Sequence, residues 1–131
     1  MGFNFEKLDV YEKSIDFVNQ VYLATRKYPK EEMFGLTNQF RRAAVSISLN
    51  IAEGSAKTKK DFNRFVDTAR GSVFECVAIL HISQKLSYIS QLRCGELRDR
   101  LVEISKMLSG LKRSLAPATP DQEQCTMNYE L

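Results

Sequence analysis

The chain has 131 residues, which suits one domain with one hydrophobic core. Apolar residues make up 44% and charged residues 27%, a balance typical of folded globular domains and not of disordered chains. The longest uncharged run, residues 43–52, is too short to cross a membrane. The amino terminus shows no basic stretch followed by an apolar segment, so no secretory signal and no membrane association are predicted.

The charge is unevenly distributed along the chain. Net charge is +3, but residues 116–131 carry Asp121, Glu123 and Glu130 and no basic residue. The preceding body is therefore more basic than the whole chain, which permits a polyanionic partner. Three cysteines, an odd number without a C-x-x-C pair, indicate reduced thiols and a cytoplasmic location.

The first predicted helix spans residues 8–28 and ends before Pro29, which cannot continue the hydrogen-bond ladder. Its residues recur at steps of three and four, as in the seam of a helical bundle. The predicted seam consists of Leu8, Tyr11, Ile15, Val18, Tyr22 and Thr25.

A second helix is predicted from Met33 or Gly35 to Gly54. Its seam is predicted to consist of Leu36, Phe40, Ala43, Ile47, Asn50 and Gly54. Helices often close with a left-handed glycine, and Gly54 is predicted to have this role.

The third and fourth helices are predicted over residues 59–86 and 90–115, and prolines at 117 and 120 stop the fourth. No segment alternates in the manner of a strand. Four long helices with short links predict an all-α, up-down-up-down bundle over residues 1–115. Residues 116–131 are predicted to form a flexible acidic tail.

The middle of the second and third helices carries a second apolar stripe beside the seam. An exposed stripe of this kind usually marks a contact surface, so we interpret it as a surface for self-association. Two alternatives stay open at this point: a loosely patterned core covered by the tail, and a different protein partner. The predicted interface residues are Val45, Leu49, Ala52, Phe74, Val77, Ala78 and His81.

Antiparallel pairing of these two helices predicts a crossing of small residues. Ala43 and Ala44 would lie opposite Gly71 and Ser72. A glycine inside a helix costs about 1 kcal/mol relative to alanine, which a close backbone approach would offset.

The same pairing brings charged residues of the two helices near each other. We predict ion pairs between Glu53 and Arg64 and between Arg42 and Glu75, with solvated side chains as the alternative.

The strongest candidate binding site is basic. Lysines and arginines along one helix pair predict salt-dependent, sequence-tolerant nucleic-acid binding. An ordinary solvated surface is the alternative, because Asp61 and Asp67 stand among them. The candidate residues are Arg41, Arg42, Lys57, Lys59, Lys60, Arg64 and Arg70.

Catalytic and metal-binding patterns are not found. The one histidine, His81, has no partner implied by spacing, and the paired Glu-x-x-His motifs of di-iron bundles do not occur. Glu53 and Glu75 are interpreted as ion-pairing residues and not as an acid–base pair. We therefore predict no enzymatic activity, no catalytic residues, no metal and no cofactor; an enzyme with an unrecognised site is the weakest hypothesis.

Three segments together resemble a known family. FEKLDVYEKSIDFVNQVYLAT, GLTNQFRRAAVSISLNIAEGS and FVDTARGSVFE are similar to the 23S rRNA intervening-sequence proteins, over about residues 3–113. The family pattern has a proline where this chain has Ser48, which implies a straighter second helix. The residues that match the family's structural motif are Asn50, Glu53, Gly54, Gly71, Ser72 and Glu75.

The resemblance implies a four-helix bundle that assembles as a ring-like homo-oligomer, with a pentamer as the expected form. Distant relatives, the accessory proteins of diversity-generating retroelements, bind nucleic acid and a reverse transcriptase. By analogy, the expected function is a non-enzymatic, homo-oligomeric protein that binds RNA or DNA. The alternative is a scaffold that binds another protein and no nucleic acid.

Overall fold

Four long helices make up most of the computed structural model, which describes residues 2–117. Short 3-10 helices occupy Asn4–Lys7 and Lys30–Glu32, and this part of the chain contains no strand. The predicted all-α class is confirmed. Almost all of the predicted tail lies outside the described residues. The long helices are α1 (Asp9–Thr25), α2 (Leu36–Ser55), α3 (Lys59–Lys85) and α4 (Gln91–Ser114).

The helices pack as a square in which neighbours in the chain are also neighbours in space. The most extensive contact joins α2 and α3, and α1 packs against both α2 and α4. Each contacting pair is antiparallel: Ser14 bonds Ser48 near the start of α1 and the end of α2, and Lys13 pairs with Glu103 across α1 and α4. The predicted up-down-up-down bundle is therefore confirmed.

Helix starts follow local side-chain chemistry. Thr58 precedes α3, and its Oγ1 accepts a hydrogen bond from the Asp61 backbone N–H at 3.3 Å. Ser90 does the same for α4, accepting from the Arg93 N–H at 3.1 Å. Such caps satisfy backbone donors that have no partner in the first turn of a helix. They fix the residues at which α3 and α4 begin.

The stripe that α1 buries differs from the predicted seam. Of the predicted residues only Thr25 is fully buried, while Ile15 and Tyr22 are 43% and 40% exposed. The prediction was partly correct, because Leu8, Tyr11 and Val18 pack half-buried against the core. It failed for Ile15 and Tyr22 because α1 has two adjacent apolar stripes, and spacing alone does not say which one is buried more deeply. The residues that α1 buries are Val10, Ser14, Phe17, Val21 and Thr25.

Gly54 lies inside the last turn of α2 and does not end it in a left-handed conformation. No described glycine has a positive φ, so this prediction was wrong. A Cβ at position 54 would lie 2.7 Å from both Phe62 Cδ1 and Phe65 Cβ of α3. The glycine is required because it lets the start of α3 approach the end of α2.

Gly71 has no such role. It is exposed, and a Cβ there would meet no atom within 4 Å, so the predicted small-residue crossing is wrong at this position. The close contact is made by its neighbour: Ser72 Oγ donates to Ser46 Oγ at 2.9 Å. Ala43 and Ala44 are buried as core residues.

The two predicted ion pairs between α2 and α3 do not form within the described chain. Arg64 pairs with Asp61 on its own helix at 3.6 Å instead of reaching Glu53. Arg42 and Glu75 are both exposed and unpaired in residues 2–117. A pair within one helix needs less ordering of long side chains than a pair between helices, which favours the local partner.

Replacing each glycine by alanine separates these two roles. Gly54→Ala should lower the free energy of unfolding by about 1–3 kcal/mol, because the new methyl group overpacks against Phe62 and Phe65. Gly71→Ala, the matched control, should raise it by up to about 1 kcal/mol through helix propensity. Urea denaturation monitored by circular dichroism measures both. Equal effects of the two changes would contradict the assigned close approach at Gly54.

Candidate nucleic-acid interface and association surfaces

One end of the bundle carries a cluster of exposed cations. Lys57, Lys59 and Lys60 occupy the α2–α3 connection and the first turn of α3, and all three are exposed and without an ion pair in residues 2–117. Arg64 follows one turn later with 78% of its side chain exposed. We refer to Lys57, Lys59, Lys60 and Arg64 as the basic end.

The side chain of Arg41 contacts α1 and is therefore less available to a phosphate than the exposed lysines are. Its Nε donates to Thr25 Oγ1 at 2.9 Å, and its Cζ lies 4.5 Å from the centre of the Tyr22 ring. The neighbouring Arg42 is exposed. Both arginines lie about 20 Å along the bundle from Lys57, at ~1.5 Å per helical residue. They therefore do not belong to the basic end.

Arg70 belongs to the contact between α3 and α4. Its Nη1 lies 3.5 Å from Asp67 Oδ1, and the same oxygen accepts a hydrogen bond from Lys112 Nζ at 2.5 Å. The carboxylate of Asp67 thus partly neutralises the positive charges of Arg70 and Lys112. The seven predicted basic residues consequently divide into three places, and only the four at the basic end form one surface.

Hydrogen bonds between polar side chains connect two of the family-motif residues, Asn50 and Ser72. Asn50 Nδ2 donates to the Ser46 carbonyl oxygen at 2.8 Å and to Ser46 Oγ at 3.0 Å. Ser46 Oγ also receives the hydrogen bond from Ser72 on α3. Asn50 and Ser72 therefore support the α2–α3 contact, whereas Glu53 and Glu75 are exposed.

An exposed apolar surface runs along α1 and α2. Leu49 is 55% exposed. Together with Val45 of α2 and Tyr22 of α1 it lines a groove of about 550 Å³, whose lining also includes the charged residues Arg41, Arg42 and Glu53. Ile15 lies two turns before Tyr22 on the same stripe of α1 and is also exposed. We refer to this surface as the α1–α2 face; its residues are Ile15, Tyr22, Val45, Leu49 and Ala52.

A second exposed apolar surface runs along α3 and α4. Phe74 is 63% exposed and lies two turns beyond Asp67, which contacts Lys112 of α4. Val102 of α4 is 43% exposed and, ten residues before Lys112, is turned about 80° away from it around the helix axis. We refer to this surface as the α3–α4 face; its residues are the exposed Phe74, Ala78, Val102 and His81, of which His81 is polar, and Val77, which is half-buried against the core.

These two apolar faces lie on opposite sides of the bundle, because the four helices form a square in chain order. The sequence analysis predicted an apolar stripe on each of two neighbouring helices, but it did not predict that the two stripes point in opposite directions. The predicted interface also did not include Ile15, Tyr22 or Val102. The double apolar stripe of α1 was the available signal for the first two.

The buried thiols are unsuited to nucleophilic chemistry. Burial raises the pKa of Cys76 to about 12, and burial also raises the pKa of Cys94. Both therefore stay protonated near neutral pH, and the thiolate is the reactive form. Within residues 2–117, no three His, Cys, Asp or Glu side chains are grouped to hold a metal ion, and no helix has the length and apolar character needed to span a membrane.

Comparison with known proteins places the bundle in a family. The model of the 23S rRNA-intervening sequence protein family matches residues 6–110. The chain belongs to this family. The resemblance predicted from the sequence is therefore confirmed, and most of the four-helix bundle lies within the matched region.

Among solved structures, this chain is similar to a bacterial protein. That neighbour is described as a protein with unknown function from the S23 ribosomal protein family, and its source is Bacteroides thetaiotaomicron VPI-5482. The TM-score is 0.71 and the identity 24%, over 79% of this chain and 97% of that chain. At this identity the likeness shows the shared fold. No curated protein matches the chain.

Substitution of Arg41 and Arg42 tests their different environments. Arg41→Ala should lower the free energy of unfolding by about 1–2 kcal/mol, because it removes a charged hydrogen bond and a cation–π contact. Arg42→Ala, the control, should change it by less than about 0.5 kcal/mol. Urea denaturation curves give both values. If the Arg42 variant were as unstable as the Arg41 variant, the structural role assigned to Arg41 would be incorrect.

Proposed function

We propose that the protein is a non-enzymatic, cytoplasmic homo-oligomer that binds RNA or DNA through its basic end. The observation that carries the proposal is the pair of exposed apolar faces on opposite sides of one bundle. Self-association covers both faces, and it multiplies the basic end by the number of copies. Membership of the family supports the four-helix fold, and nucleic-acid binding is tested by the experiments below.

The two faces favour a head-to-tail contact between copies. Leu49 of one copy packs against Phe74 of the next, and each side chain still has more than half of its surface to bury. That remaining burial contributes about 1–2 kcal/mol per residue by area. A contact between two different surfaces leaves one free face on each outer copy, so assembly continues until a ring closes or an open row forms. The family resemblance favours the closed ring, and we propose a pentamer.

A ring gives the basic ends a common direction. Copies related by a rotation axis have the same orientation along that axis, so every basic end lies at the same rim. Lysines spaced around a rim raise the local positive potential beyond that of one copy. The partner most compatible with such a rim is a phosphate backbone, bound without sequence preference and weakened by salt.

The alternative function, a scaffold for another protein, is favoured by the opposite end of the bundle. Phe34 is 93% exposed in the α1–α2 connection, and Leu92 is 77% exposed in the first turn of α4. Tyr88 Oη of the α3–α4 connection donates to Glu32 Oε2 of the α1–α2 connection at 2.9 Å, which links the two connections at this end. An apolar end of this kind suits a protein partner better than a nucleic acid.

Salt-dependent titration distinguishes the two functions. Labelled RNA and DNA should bind at low salt, and replacing Lys57, Lys59 and Lys60 by glutamine should weaken binding. It should also reduce the slope of log K against log salt by about 2 to 3, since each lost phosphate contact removes ~0.7–0.9.

The control for this titration removes equal charge at the other end of the bundle. The exposed residues Lys27, Lys30 and Lys85 are replaced by glutamine, and their loss should leave the slope nearly unchanged. Equal effects of the two triple variants would reject the basic end as the site. No binding by the unaltered protein at low salt would reject nucleic-acid binding and favour the scaffold.

Complementary variants test the head-to-tail contact. Leu49→Glu disables the α1–α2 face, and Phe74→Glu disables the α3–α4 face, so each variant alone should be monomeric. Mixed together they should form a 1:1 dimer, because each retains the face that the other needs. Sedimentation velocity measures the masses.

Thr68→Glu is the control for these variants, because Thr68 is exposed on α3 and belongs to neither apolar face. It should leave the assembly unchanged. Mixed variants that stay monomeric would contradict pairing of the α1–α2 face with the α3–α4 face.

A further inference from the structure

The chain leaves α4 next to the basic end. Lys112, in the last turn of α4, contacts Asp67 of α3 at 2.5 Å, and α4 ends two residues later at Ser114. Asp67 lies only seven residues after Lys60, or about 10 Å along α3. Whatever follows Pro117 therefore starts close to the exposed lysines.

The sequence that follows is opposite in charge to this surface. Residues 118–131 contain Asp121, Glu123 and Glu130 and no lysine or arginine. An extended chain covers up to ~3.3–3.6 Å per residue, so Asp121 and Glu123 can reach about 13–20 Å beyond Pro117. That span exceeds the rise of about 10 Å that separates Asp67 from Lys60 along α3.

The lysines of the basic end form no ion pair with a carboxylate of the described chain. Asp61 pairs with Arg64, and Asp67 is engaged by Arg70 and Lys112. Lys57, Lys59 and Lys60 remain without ion pairs in residues 2–117. Single exposed ion pairs are weak, but a segment tethered to the same chain acts at an effective concentration in the millimolar range.

We propose that the acidic segment 118–131 docks on the basic end of its own bundle and competes there with nucleic acid. The docking rests on the location and the charges of both partners. The competition rests in addition on the proposed function. Since the contact is electrostatic and exposed, it weakens as salt shortens the range of the charges. The acidic segment would thus allow binding only to partners that carry more negative charge than the segment itself.

Cys125 allows the docking to be measured without any nucleic acid. It lies in the acidic segment, whereas Cys76 and Cys94 are buried, so a nitroxide label should react there selectively. At low salt the label should broaden the amide NMR signals of residues 57–64 more strongly than in a variant with Asp121→Asn, Glu123→Gln and Glu130→Gln. Added salt should remove the difference. Equal broadening in the two proteins at low salt would overturn the docking.

Competition is tested by titrating labelled single-stranded RNA at low salt. The tail variant should bind roughly twofold to tenfold more tightly than the unaltered chain, as expected for a tethered competitor. A control with Asp16→Asn, Glu31→Gln and Asp99→Asn has the same net charge but alters exposed carboxylates elsewhere on the bundle. It should gain less than the tail variant.

The outcomes separate this inference from the proposed function. If the unaltered chain and the tail variant bind RNA equally, or if the control gains as much as the tail variant, competition by the tail is overturned and the proposed function stands. If neither protein binds, nucleic-acid binding and the competition both fail. The nitroxide result then decides whether the docking itself occurs.

Discussion

The close antiparallel contact between α2 and α3 is the constraint on which the rest of the bundle depends. At one end Gly54 allows Phe62 and Phe65 to reach the backbone of α2. In the middle, Ser46 and Ser72 share a hydrogen bond. These contacts fix the rotation of each helix about its own axis, and that rotation decides which side chains are buried and which point outward.

The outward side chains follow from this rotation. With Ile47 and Cys76 in the core, Leu49 and Phe74, each two residues away along its helix, point outward. Leu49 lines a groove with Tyr22 of α1, whereas Phe74 lies on α3, so the two apolar stripes diverge. One contiguous patch would pair with its own copy about a twofold axis, whereas two opposed patches favour head-to-tail association. The same arrangement leaves the α2–α3 turn, with its lysines, free at one end. The apolar faces and the exposed lysines thus occupy different parts of the molecule.

Much of the fold could be predicted from the sequence because helix periodicity, prolines and capping residues act locally. The number of helices, their approximate bounds and their order were predicted correctly. The buried stripe of α1 was not, since Ile15 and Phe17 are equally apolar and only tertiary contacts select between them. Gly54 was assigned a turn conformation because a sequence shows where a helix can end but not what packs against it. For the candidate site, residue type identified the cations, but only the structure showed that Arg41 binds Thr25 and that Arg70 contacts Asp67.

The central claim is that one bundle exposes two complementary apolar faces and covers them with further copies of itself. Sedimentation velocity on the unaltered chain over a range of concentrations tests it most directly. The account predicts a closed assembly, a pentamer, several times heavier than the 15.0 kDa chain and of constant mass over a wide concentration range. A single species of 15.0 kDa at every concentration would contradict it.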